Sequence, residues 1–178
     1  MIRLLAFLLL GGAWNVLAQA LPTSSRAGDL QLGVGYSTAK PDYTQHAFQG
    51  FSAYGDFMFR PHLGVEAEFH QVNSTNGDQS YQRTYEIGGR YLHTYRPLAP
   101  YVKAMIGRGE YNYPEGLTKP GYVMYAGGAG VDFIFGSHLR IRGEYEFQKW
   151  TSFPHWGLTP QIVTFGVAYH FDRKLGHK

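Results

Sequence analysis

Acidic and basic side chains recur at two-residue spacing along this chain. Glu66 and Glu68, and later Glu144 and Glu146, are carboxylates two residues apart. Such a pair is the combination that general acid–base chemistry uses. The same spacing also arises wherever one face of a β-strand is polar, because successive side chains of a strand alternate between its two faces. The charged residues with this pattern are Glu66, Glu68, Glu86, Arg90, Lys103, Asp132, Arg140, Arg142, Glu144 and Glu146.

Other kinds of chemistry have less support. The chain has no cysteine, which excludes thiol nucleophiles, zinc thiolates and disulfides. No two of the 8 histidines stand two or four residues apart, so the sequence predicts neither a metal site nor a cofactor. The formal net charge of +3 is small and dispersed and predicts no nucleic-acid partner. The residues left for nucleophilic catalysis are Ser74, Ser152, His46 and His155.

The elements that must position these charges are β-strands. Apolar and polar residues alternate in about eight segments, and none has the 3.6-residue period of an amphipathic helix. The segments lie near 30–36, 51–59, 63–70, 84–91, 102–107, 125–133, 139–148 and 163–171. The connections near 37–49, 72–82, 110–121 and 151–160 are long, and those between them are short or contain Pro. This alternation of long and short connections predicts an antiparallel, up-and-down barrel.

A barrel with this pattern is either soluble, with its apolar face inward, or transmembrane, with that face outward. On the apolar face, aromatic residues gather near the strand ends and smaller aliphatic residues tend to fill the middle. The aromatics are Phe57, Phe59, Tyr91, Phe133, Tyr169 and Phe171 at one end, and Tyr36, Phe51, Phe69, Tyr85, Tyr125, Tyr145 and Phe147 at the other. Two aromatic bands around an aliphatic zone favour the transmembrane form. The charged residues then face inward and are expected to pair across a narrow lumen.

The start of the chain predicts export. Arg3, an apolar run at 4–10 and small residues at 18 and 20 have the pattern of a secretory signal peptide. We therefore expect a signal peptide at 1–20, a barrel domain at 21–171 and a short periplasmic tail at 172–178.

Three features carry a family resemblance: the terminal Gly166, Tyr169 and Phe171, the stretch 127–132, and the turn 60–64. Together they resemble the OmpA-like or OmpX-like small outer-membrane β-barrel family over nearly the whole chain after residue 20. The tail 172–178 is a departure, since in many members the chain stops at the terminal aromatic. The resemblance implies an all-β, eight-stranded antiparallel up-and-down transmembrane β-barrel in the bacterial outer membrane. It also implies that Gly166, Tyr169 and Phe171 form an assembly signal for the barrel-assembly machinery, and that outer-membrane lipid and lipopolysaccharide are partners.

The function expected of such a chain is a structural or surface-interaction role, with a closed, salt-bridged lumen and no catalysis. A lipid A deacylase or acyltransferase shares this barrel size and needs Ser, His and an acid at the lipid-accessible rim, but no His-x-Ser motif occurs. A small porin-like channel is a second alternative. Adhesion to a surface ligand is also open, because Tyr111, Tyr113, Trp150, Phe153 and Trp156 fall in or beside the long connections.

Overall fold

The computed structural model describes residues 28–42, 46–76, 80–112, 121–151 and 157–171. Within them the chain forms a closed antiparallel barrel in which each strand pairs with its sequence neighbours and the last pairs with the first. The predicted fold class is confirmed. The strands are β1 (Asp29–Lys40), β2 (Phe48–Met58), β3 (Leu63–Ser74), β4 (Tyr81–Leu92), β5 (Leu98–Asn112), β6 (Tyr122–Phe135), β7 (Leu139–Trp150) and β8 (Gln161–Phe171). None of the described residues belongs to a helix that could span a membrane.

The two ends of the barrel differ in their connections. Short turns at 59–62, 93–97 and 136–138 join strands at one end, which we call the turn end. The strand ends that flank 41–47, 75–80, 113–121 and 151–160 lie at the other, which we call the loop end. Gly136, in the turn after β6, has a φ of 70°, a left-handed conformation that glycine adopts without steric penalty. The predicted signal peptide and tail lie outside the described residues.

The outward face is apolar along the middle of the strands. Near the loop end, Phe69 lies between Phe51 and Tyr85, at ring-centroid distances of 5.8 and 5.1 Å. Near the turn end, Tyr169 meets Phe171 edge to face at 4.8 Å. Exposed aliphatic residues occupy the zone between these aromatic bands and include Val34, Ile87, Val102, Ile106, Ile141 and Val167. So continuous an exposed apolar surface suits a hydrocarbon environment.

The interior has two layers. The half toward the turn end is polar and charged. The loop end is filled by an apolar cluster, which we call the apolar plug and which consists of Ala39, Phe48, Val72, Met105, Tyr111, Met124, Ala126, Trp150, Leu158 and Ile162. Trp150 is fully buried there, and its indole Nε1 donates to Oε1 of Gln148 at 3.0 Å. An eight-stranded barrel encloses little more than its own side chains, and the plug occupies the lumen at the loop end.

The strands run further toward the loop end than the alternation predicted. β1 continues to Lys40, β3 to Ser74 and β5 to Asn112, whereas the predicted segments ended near 36, 70 and 107. The reason is that the two faces of the strands exchange polarity beyond the aromatic band. On β3, for example, Val72 is buried inside while its neighbour Asn73 faces outward. Inward residues become apolar and outward residues polar, so the two-residue period continues with its polarity inverted.

The same inversion explains an error about the loop aromatics. Tyr111 and Trp150 were placed in or beside the long connections as candidates for surface contact, and that placement is wrong because both lie inside the apolar plug. Tyr113, Phe153 and Trp156 lie outside the described residues.

Candidate functional site

A network of buried ion pairs fills the lumen toward the turn end. Arg142 on β7 contacts Oδ2 of Asp56 through Nη2 at 2.6 Å and Oδ1 of Asp132 through Nε at 2.9 Å. Arg90 on β4 contacts Oδ1 of Asp56 at 2.7 Å, Oε2 of Glu66 at 3.0 Å and Oδ2 of Asp132 at 2.5 Å. These two guanidinium groups therefore connect β2, β3 and β6 to β4 and β7. Such bidentate geometry suits a planar guanidinium, which lysine could not replace.

Two tyrosine rings pack against the guanidinium groups. The Cζ of Arg90 lies 3.6 Å from the ring centre of Tyr101, and that of Arg142 lies 3.8 Å from the ring centre of Tyr54. Both contacts are cation–π interactions in a desolvated setting, where they stabilise most. Gly166 makes room for Tyr54, because a Cβ at Gly166 would stand 3.0 Å from the Tyr54 hydroxyl oxygen. The sequence placed Tyr54 on the polar face of its strand but gave it no role, and it left Tyr101 before the start of the fifth strand.

Lys103 is the cation at the centre of the barrel. Its Nζ lies 3.1 Å from Glu66, 2.7 Å from Glu144 and 2.8 Å from Glu146, and it also contacts Glu68. These carboxylates come from β3 and β7. Because β3 and β7 are separated by three strands in either direction around the barrel, Lys103 bridges opposite walls of the lumen.

A chain of polar contacts continues toward the loop end. Nε2 of Gln148 donates to Oε1 of Glu86 at 2.9 Å and to Oε1 of Glu146 at 2.8 Å. His70 lies beside them, with Nδ1 3.3 Å from the Ser37 hydroxyl and Nε2 3.2 Å from Oε1 of Glu68.

Ser37, His70 and Glu68 thus follow the order of a hydrolase triad, a combination that the sequence did not reveal. Ser37 is fully buried, however, so no substrate can reach its hydroxyl.

The structure buries nearly all the charged residues singled out from the sequence. Those inside the lumen are Glu66, Glu68, Glu86, Arg90, Lys103, Asp132, Arg142, Glu144 and Glu146, together with Asp56 and His70. Arg140 differs, since it is half-buried and lines an opening of about 720 Å³ at the turn end, with Arg60, Arg96 and His170. Among the inward charges that were expected to pair across the lumen, Arg142 lies 3.4 Å from Glu66.

The other candidate residues lie near the barrel ends. Tyr169 and Phe171 face outward on β8 at the turn end, while Gly166 faces inward on the same strand. Ser74 ends β3 opposite Phe48, and His46 lies exposed just before β2, both at the loop end. Ser152 and His155 lie outside the described residues.

The comparison with protein families agrees with this geometry. The model of the family described as "Outer membrane protein beta-barrel domain" matches residues 4–171.

The chain belongs to the outer membrane protein β-barrel family. It is an integral protein of the bacterial outer membrane, as the sequence predicted, and the resemblance to small outer-membrane barrels is confirmed. The exposed aliphatic zone of this outer-membrane barrel therefore meets lipid.

Solved structures of other outer-membrane barrels share the fold. Neisserial surface protein A superimposes with a TM-score of 0.66 at 10% identity, over 82% of this chain and 97% of that one. The N-terminal barrel of Pseudomonas aeruginosa OprF gives 0.59 at 14% identity, over 81% and 99%. Ail, the attachment invasion locus protein of Yersinia pestis, gives 0.57 at 19% identity, over 81% and 99%. No curated protein matches the chain in sequence.

Proposed function

We propose that this outer-membrane barrel is a non-catalytic protein with a closed lumen and a structural or surface-interaction role. The observation that supports this is the double closure of the interior. The ion-pair network around Arg142 and Lys103 crosses the lumen at the inner end of the turn-end opening, and the apolar plug around Trp150 fills the loop end. Water and solutes would have to displace buried, mutually bonded side chains to cross.

Planar-bilayer recording tests the closure. The wild-type protein is expected to give no large, stable openings. A useful comparison is Trp150→Ala, which removes the largest side chain of the plug but leaves the ion pairs intact, and we expect it to remain closed as well. Large, stable wild-type openings would establish the porin-like alternative instead.

Lipid A analysis tests the absence of catalysis. Cells that produce the protein and cells that lack it are expected to have the same lipid A acylation pattern. The Ser37→Ala variant adds a specific control, because Ser37 is the hydroxyl that the structure places beside His70. A lost or added acyl chain that depends on the protein would contradict the proposal.

The loop end also carries a basic outer surface suited to phosphate groups. Four basic residues face outward there: Lys40, Arg83, Arg108 and Lys149. The acidic residues among the described residues at this end are Asp42 and Glu110. Arg108 is the cross-strand neighbour of Tyr85 and Lys149 that of Tyr125, so both stand at the level of the aromatic band. Aromatic bands mark the membrane interface, where phosphates of lipopolysaccharide lie. We therefore assign the loop end to the cell surface and the turn end to the periplasm.

A sulfated surface ligand would suit the same basic residues. One of the matching solved structures is Ail of Yersinia pestis in complex with the heparin analogue sucrose octasulfate. The two sources of anion are separable with the double variant Arg108→Gln/Lys149→Gln and a turn-end control, Arg60→Gln/Arg96→Gln. The affinity for lipopolysaccharide in detergent should fall about tenfold in the loop-end variant and stay unchanged in the turn-end control. Dephosphorylated lipopolysaccharide should bind the wild type as weakly as intact lipopolysaccharide binds the loop-end variant. If sucrose octasulfate binds and lipopolysaccharide does not, the ligand is a sulfated glycan, and equal binding by both variants would remove the basic surface from the proposal.

A further inference from the structure

Carboxylates outnumber cations inside the lumen. The described interior buries Asp56, Glu66, Glu68, Glu86, Asp132, Glu144 and Glu146 against Arg90, Lys103, Arg142 and His70. Buried charges are tolerated when they are paired or when they coordinate a metal ion. Because the acids are in excess, the network is balanced either by protonation of some of the acids or by a further positive charge.

The excess is concentrated beside His70, toward the loop end from Lys103. Glu68 and Glu86 are direct cross-strand neighbours with both side chains inside, an arrangement of like charges that destabilises a sheet unless it is compensated. Lys103 forms ion pairs with Glu66, Glu68, Glu144 and Glu146 and so supplies one positive charge to four carboxylates. Within the described residues, Glu86 forms no ion pair.

Four buried polar atoms here form no hydrogen bond among the described residues: Nε2 of His70, Oε1 of Glu68, Oε2 of Glu86 and Oε2 of Glu146. The first two face each other as an ion pair, and Oε2 of Glu146 lies 2.8 Å from Nζ of Lys103, which leaves Oε2 of Glu86 without an ion-pair contact among the described residues. The ligating atoms of Glu68, His70 and Glu146 lie within 4.8 Å of one another, and Nε2 of His70 is 3.2 Å from Oε1 of Glu68. Ligands of a tetrahedral zinc ion stand roughly 3.4 Å apart, so small side-chain movements would bring these atoms to coordination distance.

The second nitrogen of His70 is already oriented. Nδ1 lies 3.3 Å from the Ser37 hydroxyl, which in turn lies 2.8 Å from the Thr164 hydroxyl. Metal-binding histidines regularly have their other ring nitrogen held by a hydrogen bond of this kind, which fixes the ring and presents the free nitrogen to the metal.

We propose that the lumen binds a divalent transition-metal ion through Glu68, His70 and Glu146, with Glu86 beside it. The mixture of imidazole and carboxylate ligands suits zinc-like ions better than calcium or magnesium, which prefer all-oxygen shells. Glu68 and His70 lie on β3 and Glu146 on β7, so the ion joins opposite walls of the barrel through two carboxylates that Lys103 also contacts. A metal that binds only the folded barrel raises its stability.

Zinc retention tests the site. The protein, purified in detergent, is unfolded with a chelator, refolded with Zn²⁺ and desalted, and its zinc content is measured by mass spectrometry. We expect about one zinc per chain in the wild type and a higher unfolding temperature than after refolding with Ca²⁺. His70→Gln and Glu146→Gln should lose both effects. The matched control is His93→Gln, because His93 stacks on His62 at 4.8 Å at the turn end and offers a surface zinc site.

Each outcome is decisive. Zinc retained by wild type and by His93→Gln but not by His70→Gln supports the lumenal site. Heat-modifiable migration on gels shows whether each variant is folded, and the wild-type result stands on its own if a variant does not fold. The proposal is overturned if folded wild type retains no zinc, if His70→Gln retains as much as wild type, or if only His93→Gln loses it.

Discussion

Asp132 and Arg142 are direct cross-strand neighbours on β6 and β7, and Nε of Arg142 donates to Oδ1 of Asp132 at 2.9 Å. The same guanidinium group reaches across the lumen to Asp56 at 2.6 Å. One side chain therefore supports both a local sheet contact and a contact with β2, which is separated from β7 by β8 and β1.

Replacing Arg142 should destabilise the barrel strongly. Arg142→Met leaves Asp56 and Asp132 with fewer buried cations, and breaking a buried pair in this way costs about 3–5 kcal/mol of unfolding free energy. The measurement is urea unfolding of the protein in lipid vesicles. Arg140→Met is the control, because Arg140 is half-buried at the open turn end, and its effect should stay below about 1 kcal/mol. Equal effects of the two variants would mean that the network does not stabilise the fold.

The apolar plug should contribute stability of its own. Met124 is fully buried in the plug, and its neighbour Val123 faces outward on the same strand. Met124→Ala should cost about 2–5 kcal/mol, since it removes a buried side chain and leaves a cavity. Val123→Ala should stay within about 0.5 kcal/mol. The same urea titration compares them, and a larger loss for Val123→Ala would place the plug outside the barrel.

Two adjacent glycines on β4 should respond in opposite ways to alanine. A Cβ at Gly88 would collide with the carbonyl oxygen of Ala104 and stand 2.7 Å from Cα of Met105, whereas a Cβ at Gly89 meets no atom of the described residues within 4 Å. Gly88→Ala should destabilise by about 1–3 kcal/mol through overpacking. Gly89→Ala should be neutral or stabilise by about 0.4–1 kcal/mol, because it restricts the unfolded chain. A tolerated Gly88→Ala would contradict the close approach of β4 to β5.

The closing strand should determine assembly. Phe171 pairs with Leu30 of β1 and packs edge to face with Tyr169, so Phe171→Ser removes the aromatic end of the seam that closes the barrel. Its yield in the outer-membrane fraction should fall several-fold, while deletion of residues 174–178 should change the yield much less. Heat-modifiable migration and membrane fractionation measure both. If the tail deletion is the worse of the two, the assembly signal lies in the tail.

The membrane-embedded part of the fold could be predicted from the sequence because one rule governs it. Lipid outside and paired charges inside force strict alternation, as in β7, where Tyr145 and Phe147 face outward and Glu144 and Glu146 face inward. The strand positions and the inward charges follow from that rule alone. Arg140 also faces inward, as the rule requires. It lines an opening because it lies close to the turn end, and its position along the barrel axis depends on the register between strands, which the rule does not give.

The rest could not be predicted because it depends on distances between strands remote in sequence. The contact of Ser37 with His70 and the convergence of Glu68 with Glu146 require the barrel to close with a particular stagger. Alternation within one strand carries no information about that stagger. At the loop end the alternation predicted strand ends that are too early. An apolar residue indicates the outward face only where that face meets lipid, and beyond the aromatic band the apolar residues point inward.

The inversion of polarity near the loop end marks the boundary between the lipid-facing and the water-facing part of the outer surface. Below it lipid-facing residues such as Tyr85 and Tyr36 are apolar, and above it Arg83 and Lys40 are charged. If the barrel sat deeper in the membrane, cations would enter the hydrocarbon, and if it sat higher, aromatic rings would be exposed to water. The protein's immersion depth is therefore encoded in the outer surface of its strands, independently of its loops and of any partner.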